Sequence, residues 1–177
     1  MAKTILIPIA TGFEEIEAVS LIDVLRRAGI NVEIVGLGGM IIQSGQGVKV
    51  YADKRFIDID DKYDAIVIPG GPGYRNLILN QSFLSFLEKF GKQGKLIGAI
   101  CAAPLALAKV NLLMDKRATC YPGLEKNLDM PRDDPVVVDG NIVTSQGPGT
   151  ALKFALKLVE ILVGSQKAAQ LKDTLLA

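Results

Sequence analysis

Cys101 lies where a predicted buried strand, residues 96–100, meets a predicted helix that begins at about residue 103. Pro104 suits the first turn of that helix. The arrangement presents the cysteine side chain at a tight turn, beside the free amide N–H groups of the helix. Since the positive end of a helix lowers the pKa of a thiol, we expect a thiolate at Cys101 near neutral pH. The alternative is a buried structural cysteine, which is a common role for a free thiol.

Glu17 is the second candidate for chemistry. It follows Glu14 and Glu15 in the first turn of a predicted helix, where acidic residues ordinarily complement the helix dipole. Glu17 differs from its neighbours because it shares the apolar face of that helix with Leu21. A carboxyl group on this face would lie close to the Cys101 loop, and burial would raise its pKa. A protonated carboxyl can donate to a thiolate or exchange a proton with a substrate.

A glycine-rich loop, residues 69–73, follows another predicted buried strand. Glycines at such a place allow backbone N–H groups to converge on an anion, as an oxyanion hole requires, and the alternative is a simple tight turn. The loop is not a phosphate-binding P-loop, because no Gly-Lys-Ser/Thr sequence follows it. No G-x-G-x-x-G pattern opens the first helix either. We therefore predict that the protein uses no cofactor.

The chain contains no histidine, and this absence excludes a Ser-His-Asp or Cys-His triad built from the chain alone. A zinc site would need carboxylates and both cysteines, so we predict no metal site. The second cysteine, Cys120, is predicted to lie inside a strand and to serve in packing. Two cysteines in a chain of 177 residues do not make a disulfide framework, which fits a reducing compartment.

The composition indicates one domain over residues 1–177 with a sizeable apolar core. The net charge is +1 and no block of Lys or Arg stands out, so we expect no dedicated nucleic-acid site. The apolar run at residues 5–7 is too short for a signal peptide or a membrane span. These features predict a cytoplasmic protein that does not bind a membrane.

Apolar runs alternate with amphipathic stretches, which predicts an α/β fold with a mostly parallel sheet. The predicted strands are residues 4–9, 31–37, 65–68, 96–100 and 118–120, with short antiparallel strands within 41–58 and a hairpin of 136–139 and 142–144. The predicted helices are residues 14–28, 82–90, 103–110, 151–163 and 167–175. For the first of these, the apolar face is predicted to be Ile16, Val19, Leu21, Ile22, Val24 and Leu25.

Four loops leave the carboxyl edge of this predicted sheet, where ligand chemistry gathers in such folds. They are residues 10–15, 69–74, 101–104 and 145–150. These are also the loops that carry the glycines, the polar side chains and the thiol. The coincidence predicts one site at this edge.

Taken together, these motifs resemble the DJ-1/ThiJ/PfpI superfamily, and within it the DJ-1/YajL branch. The similar segments, in matching order over nearly the whole chain, are Gly12-Phe13-Glu14-Glu15-Ile16-Glu17, Ile68-Pro69-Gly70-Gly71, Gly98-Ala99-Ile100-Cys101-Ala102-Ala103-Pro104, Ala118-Thr119-Cys120-Tyr121-Pro122 and Ser145-Gln146-Gly147-Pro148-Gly149-Thr150.

The resemblance implies a flavodoxin-like three-layer sandwich and a homodimer. By position, Cys101 matches the reactive, oxidisable cysteine of the family, and Glu17 matches the protonated glutamate beside it. Gly70, Gly71 and Ala102 would then supply N–H groups to an oxyanion or a substrate.

Tyr121 and Gly149 complete the predicted substrate-binding group. Many family members have a histidine at the position of Tyr121. The tyrosine argues against the cysteine-protease activity claimed for the PfpI branch, although its hydroxyl can donate a hydrogen bond. At Gln146 some relatives have an arginine that could hold a substrate carboxylate.

The resemblance implies an enzyme that acts on reactive dicarbonyls. The expected activities are a glyoxalase III-type conversion of methylglyoxal to lactate, removal of such adducts from glycated substrates, or both. The alternative is a non-enzymatic sensor of oxidative stress or a chaperone, in which Cys101 is oxidised to the sulfinate. A third possibility is an α/β domain in which the buried cysteine has no chemical role.

Overall fold

A seven-stranded sheet forms the centre of the computed structural model, which describes residues 3–177. Its strand order is β10-β11-β7-β6-β1-β2-β5, and its pairs are parallel except for the antiparallel pair β10–β11. The strands of the chain are β1 (Thr4–Ala10), β2 (Asn31–Leu37), β3 (Ile41–Gln43), β4 (Lys49–Tyr51), β5 (Lys54–Arg55), β6 (Ala65–Ile68), β7 (Leu96–Ile100), β8 (Arg117–Ala118), β9 (Met130–Pro131), β10 (Val136–Asp139) and β11 (Ile142–Ser145).

The strand order reverses at β1, which pairs with β2 on one side and with β6 on the other. From β1 the chain first builds outward through β2 and β5, and then returns to add β6, β7 and β11 on the opposite side. In doubly wound sheets a crevice opens at the carboxyl ends of the strands where the order reverses. The loops that follow β1 and β6 flank this crevice.

Helices cover both faces of the sheet. They are α1 (Glu15–Arg27), α2 (Tyr74–Leu79), α3 (Gln81–Lys92), α4 (Pro104–Lys109), α5 (Ala151–Leu162) and α6 (Ser165–Leu175). On one face α1 packs against α5, and α6 packs against α5. On the other face α2 contacts both α3 and α4. The predicted flavodoxin-like sandwich is therefore confirmed. No helix within residues 3–177 combines the length and the apolar character that a membrane span would need.

The central strands are apolar on both faces, because each face is covered by helices. On one side Ile5 and Ile7 of β1 belong to the same buried cluster as Phe154 of α5. On the other side Leu6 belongs to a cluster that contains Phe83 of α3. Successive residues of a strand point to opposite faces, so a single strand contributes to both cores.

The predicted apolar face of α1 is wrong at two positions. The side chains of Ile16 and Val19 are 56% and 50% exposed, whereas Glu17 and Ala18 are buried. The buried residues of α1 are Glu17, Ala18, Leu21, Val24 and Leu25. Their spacing describes one continuous stripe along a helix of 3.6 residues per turn, and Ile16 and Val19 lie outside it.

Two further predictions need correction. Cys120 is not inside a strand, because β8 ends at Ala118 and Cys120 lies in the loop that follows. Helix α2 was not predicted, since it has only six residues and directly follows the glycine-rich loop. The hairpin of β10 and β11 around Gly140 and Asn141 is confirmed.

Candidate active site

Cys101 is the residue directly after β7, and its backbone adopts a conformation that is rare outside glycine. Its φ angle is 65°, in the left-handed region, where a side chain is strained. Two hydrogen bonds hold this peptide in place. The N–H of Cys101 donates to the carbonyl of Ser145 at 2.9 Å, and the N–H of Tyr121 donates to the carbonyl of Cys101 at 2.8 Å. Neighbouring elements thus fix the strained turn that carries the thiol.

The glycine-rich loop after β6 packs against this turn so closely that a side chain would not fit. A Cβ atom on Gly70 would lie 2.7 Å from the Cβ of Cys101 and 2.8 Å from the carbonyl of Ile100. Gly71 has a φ angle of 85°, and a Cβ there would lie 2.4 Å from the amide nitrogen of Glu14. Glycine at these positions brings backbone groups to the sulfur, and the amides of Gly71 and Ala102 act to lower the pKa of the thiol.

Glu17 is fully buried and lies at the same place. Its Oε2 accepts a hydrogen bond of 2.7 Å from the N–H of Gly70. Its Oε1 is buried and has no partner of normal hydrogen-bond geometry within residues 3–177. The Cys101 thiol is close enough for a weak side-chain interaction that affects the pKa of both groups. The structure therefore brings Cys101, Glu17, Gly70, Gly71 and Ala102 together.

The carboxyl and the thiol influence each other electrostatically. Burial raises the pKa of Glu17 to about 7, against the lowering effect of the Gly70 N–H. Burial and the neighbouring negative charge of Glu17 raise the pKa of Cys101 to about 12, although the amides of Gly71 and Ala102 act in the opposite direction.

The expectation of a lowered thiol pKa at Cys101 is therefore wrong. The sulfur is removed from water and faces a carboxylate, and these two effects outweigh the amide of Gly71 in the glycine-rich loop and that of Ala102 just before a helix of only six residues. Near neutral pH the proton resides on the sulfur, while Glu17, with a pKa of about 7, is divided between its protonated form and a carboxylate that can accept a proton. The pair is suited to a reaction in which the thiol loses its proton as it attacks an electrophile.

Comparison with known proteins agrees with this geometry. The model of the DJ-1/PfpI family matches residues 3–161. The chain belongs to the DJ-1/PfpI family. It is 40% identical to protein dj-1beta of Drosophila melanogaster over 183 residues, which cover 99% of this chain and 98% of that protein.

Solved structures of family members have the same fold. Oxidised Toxoplasma gondii DJ-1 superposes with a TM-score of 0.95 at 40% identity, over 99% of this chain and 98% of that one. The crystal structure of Drosophila DJ-1beta gives a TM-score of 0.92 at 37% identity, over 100% of this chain and 99% of that one. The resemblance to the DJ-1 proteins is thus confirmed over nearly the whole chain.

Two of the predicted oxyanion and substrate groups are placed differently from the rest. The N–H of Gly70 is already bonded to Glu17, so it is not free for an oxyanion. Gly149 is exposed in the short turn before α5 and lines a groove between α5 and α6. Within residues 3–177, no hydrogen bond joins Gly149 to Cys101. Gly71 and Ala102 remain as the amides that face the sulfur.

Tyr121 lies beside the site through its backbone, while its side chain is half exposed. Its ring packs on Gly147, where a Cβ would lie 3.3 Å from the Cδ2 of the ring. The aromatic ring of Tyr121 thus stands at the position where the family resemblance led us to expect a histidine in many members. The ring can line a binding pocket, and its hydroxyl can donate a hydrogen bond.

Ser145 is a positioning residue to which the sequence analysis assigned no role, although it placed Ser145 in the loop of residues 145–150. Its carbonyl accepts the N–H of Cys101, and its hydroxyl donates to the carbonyl of Pro135 at 2.7 Å. The hydroxyl also bonds to that of Thr150 at 2.6 Å. Ser145 was predicted to begin the loop after the strand 142–144, whereas it is the last residue of β11. The sequence could not show its role, because the decisive contact is made by its backbone.

We expect the stability of the protein to depend on the ionisation of Glu17. The folded protein keeps this proton up to about pH 7, whereas an exposed glutamate ordinarily has a pKa of 4.5. Since the unfolded chain releases the proton at lower pH than the folded chain does, the free energy of unfolding should fall by roughly 3 kcal/mol from pH 4.5 to pH 7.

Glu17→Gln lacks this titration, so chemical denaturation at pH 5 and pH 8 should show a smaller loss of the free energy of unfolding for the variant than for the wild type. Glu88→Gln, on the exposed face of α3, is the control. Equal pH dependence in wild type and Glu17→Gln would contradict the raised pKa.

Proposed function

We propose that this protein is a cofactor-independent enzyme that acts on reactive dicarbonyls through Cys101 and Glu17. The observation that carries the proposal is a buried carboxyl with a pKa of about 7 beside a thiol on a strained strand-to-helix turn. A general base is most effective when its pKa is near the working pH. The glyoxalase III-type conversion of methylglyoxal to lactate requires such a base.

In the first step the sulfur of Cys101 attacks the aldehyde carbon of methylglyoxal. As the S–C bond forms, Glu17 accepts the thiol proton and the carbonyl electron pair moves to the oxygen. The amides of Gly71 and Ala102, which face the sulfur, stabilise the developing negative charge. Return of the proton to this oxygen gives a hemithioacetal.

In the second step Glu17 moves a proton between the two adjacent carbons. It removes the proton from the former aldehyde carbon, which gives an enediol, and the neighbouring carbon is then protonated. The product is the lactoyl thioester of Cys101. Water hydrolyses the thioester, which releases lactate and restores the thiol. No oxidant or reductant is consumed, because one carbon is oxidised as the other is reduced.

A relative supports the substrate class. The protein named glutathione-independent glyoxalase DJR-1.2 of Caenorhabditis elegans is 37% identical over 163 residues, which cover 89% of this chain and 87% of that protein. Amine adducts of dicarbonyls contain the same electrophilic carbons. We therefore include glycated substrates in the proposal.

Turnover of methylglyoxal tests the mechanism. We expect Cys101→Ala to abolish lactate formation, since no S–C bond can form. Glu17→Gln should lower kcat by about 10²- to 10⁴-fold, the usual contribution of a general acid or base. For the wild type, kcat should rise with pH through about 7, because the carboxylate is the active form.

Glu88→Gln is the control for the removal of a carboxyl, and circular dichroism checks the fold of each variant. Equal rates of lactate formation in wild type, Cys101→Ala and Glu17→Gln would refute the mechanism.

The second candidate is a sensor of oxidative stress. The amides of Gly71 and Ala102 that face the sulfur would also stabilise a sulfinate, and the T. gondii relative was crystallised as the oxidised protein. Each of two molecules of hydrogen peroxide would transfer one oxygen atom to the sulfur and leave as water. The same thiol can serve both functions.

Intact-mass measurement after peroxide treatment tests the sensor. We expect two oxygen atoms on Cys101, at a rate that rises with pH because the thiolate is the reactive form and the pKa of Cys101 is raised. Cys120 is buried outside the carboxyl–thiol pair and should remain reduced. Addition of two oxygens to Cys120 with an unmodified Cys101 would exclude this role.

We also propose a homodimer, through an apolar surface on α1 and the β3–β4 hairpin. Ile16 and Val19 of α1 are exposed, as are Ile41, Val48 and Tyr51 of the hairpin. Hydrogen bonds join the hairpin turn to α1, because the hydroxyl of Ser44 and the backbone N–H of Gln46 both donate to Oε1 of Glu15. Apolar patches of this kind commonly mark protein interfaces.

Sedimentation measures this association. The wild type should sediment at twice the 18.9 kDa of the chain, and Val19→Asp should shift it toward the monomer, since burial of a charge in an apolar interface is unfavourable. Ile57→Asp is the matched control, because Ile57 is 84% exposed outside this surface. A wild-type monomer, or equal loss of dimer in both variants, would contradict the proposed surface.

We further propose that residues 1–177 act as one domain in the cytoplasm. Both cysteines are free and buried. Free thiols fit a reducing compartment.

A further inference from the structure

A cavity of about 430 Å³ lies beside the backbone that holds Cys101. Its wall includes Cys120, Glu125, Arg132, Asp133 and Gln146. Its position follows from the hydrogen bonds that hold the strained turn at Cys101. The peptide of Cys101 is bonded on one side to Tyr121 and on the other to Ser145, and the direct chain neighbours of these residues are Cys120 and Gln146.

The cavity carries one positive charge without a carboxylate partner. The guanidinium of Arg132 is exposed, and its Nη1 donates to the carbonyl of Pro131 at 2.9 Å. Within residues 3–177, no carboxylate oxygen lies within 4.0 Å of this guanidinium. Its remaining N–H groups are therefore available to a ligand, and the planar guanidinium suits a carboxylate.

The cavity also carries a negative charge that is open to a ligand. Asp133 accepts a hydrogen bond of 3.2 Å from the amide of Gln146 and forms no ion pair in the described chain. The other acid in the wall, Glu125, is occupied differently. Both of its carboxylate oxygens accept the N–H of Gly123, at 2.9 and 2.8 Å. Arg132 and Asp133 thus present opposite charges to one space, whose wall also carries the Glu125 carboxylate, bonded to the Gly123 N–H.

We propose that this cavity binds the zwitterionic head group of an amino acid, with the carboxylate on Arg132 and the ammonium on Asp133. An inorganic anion would satisfy Arg132 but would be repelled by Asp133. A simple amine would pair with Asp133 but would be repelled by Arg132. Only a ligand that carries both charges pairs with both side chains, and the volume leaves room for the rest of an amino acid.

This site also refines the substrate class, in a step that rests on the proposed function. An amino acid whose amine carries a dicarbonyl adduct is a secondary amine with an adjacent carboxylate. Its charged groups would bind to Arg132 and Asp133, in a cavity that lies next to the backbone of the Cys101 turn.

Calorimetric titration of the full chain with L-alanine, L-alaninamide and N-acetyl-L-alanine tests the site. Alaninamide lacks the carboxylate and N-acetylalanine lacks the ammonium. We expect alanine to bind at least about tenfold more tightly than either analogue, the usual effect of losing a hydrogen bond between charged groups. Arg132→Gln should bind alanine and alaninamide equally, and Asp133→Asn should bind alanine and N-acetylalanine equally.

Lys126→Gln and Asp134→Asn are the matched controls. Each removes a charge from the segment between β8 and β10 that also carries Arg132 and Asp133, and neither residue lines the cavity. Both should keep the wild-type preference for alanine. Failure of the wild type to bind alanine, equal binding of the three compounds, or an equal loss in the controls would overturn the site. The titration requires no turnover and is repeated on Cys101→Ser, so its result is separate from the test of dicarbonyl chemistry.

Discussion

The hydrogen bond from the N–H of Gly70 to Oε2 of Glu17 connects the two halves of the site. It joins the loop after β6 to helix α1 across the crevice where the strand order reverses. The same glycine lies against Cys101, with no space for a Cβ between them. A single residue therefore sets both the orientation of the carboxyl and the distance of the loop from the thiol. The strained turn at Cys101 depends on this packing, because its φ angle is stable only where the surroundings determine it.

The electrostatics of the site follow from burial more than from the helix end. A helix N-terminus stabilises an anion, but desolvation of a buried thiol and repulsion by a neighbouring carboxylate act more strongly here. The outcome is a pair in which the thiol keeps its proton and the carboxyl has a pKa of about 7. In the proposed reaction this arrangement would supply a thiolate as the sulfur attacks, and would not maintain one at rest. The absence of histidine is consistent with a carboxyl that takes the role of the base.

Much of the fold could be predicted from the sequence, because strands buried on both faces appear in it as short apolar runs. Strands β2, β6, β7 and β10 begin and end where the apolar pattern predicts. The errors arise where tertiary contacts decide. The apolar character of Ile16 and Val19 suggested burial, yet the face of α1 that packs on the sheet is set by its contacts with α5. Helix α2 was missed because its six residues are too few to show a helical period.

For the site, the residue types and the edge at which they meet follow from the amino-acid sequence alone. A cysteine after a buried strand, an acid on the apolar side of a helix and a glycine-rich loop are all local features, and strand ends in a parallel sheet lie on one edge. How these groups interact was set by the packing of the folded chain. The fold directed the N–H of Gly70 to Glu17, left Gly149 outside the site and raised the pKa of Cys101. Such outcomes depend on distances between segments far apart in the chain and on the exclusion of water, and no local pattern of residues encodes either quantity.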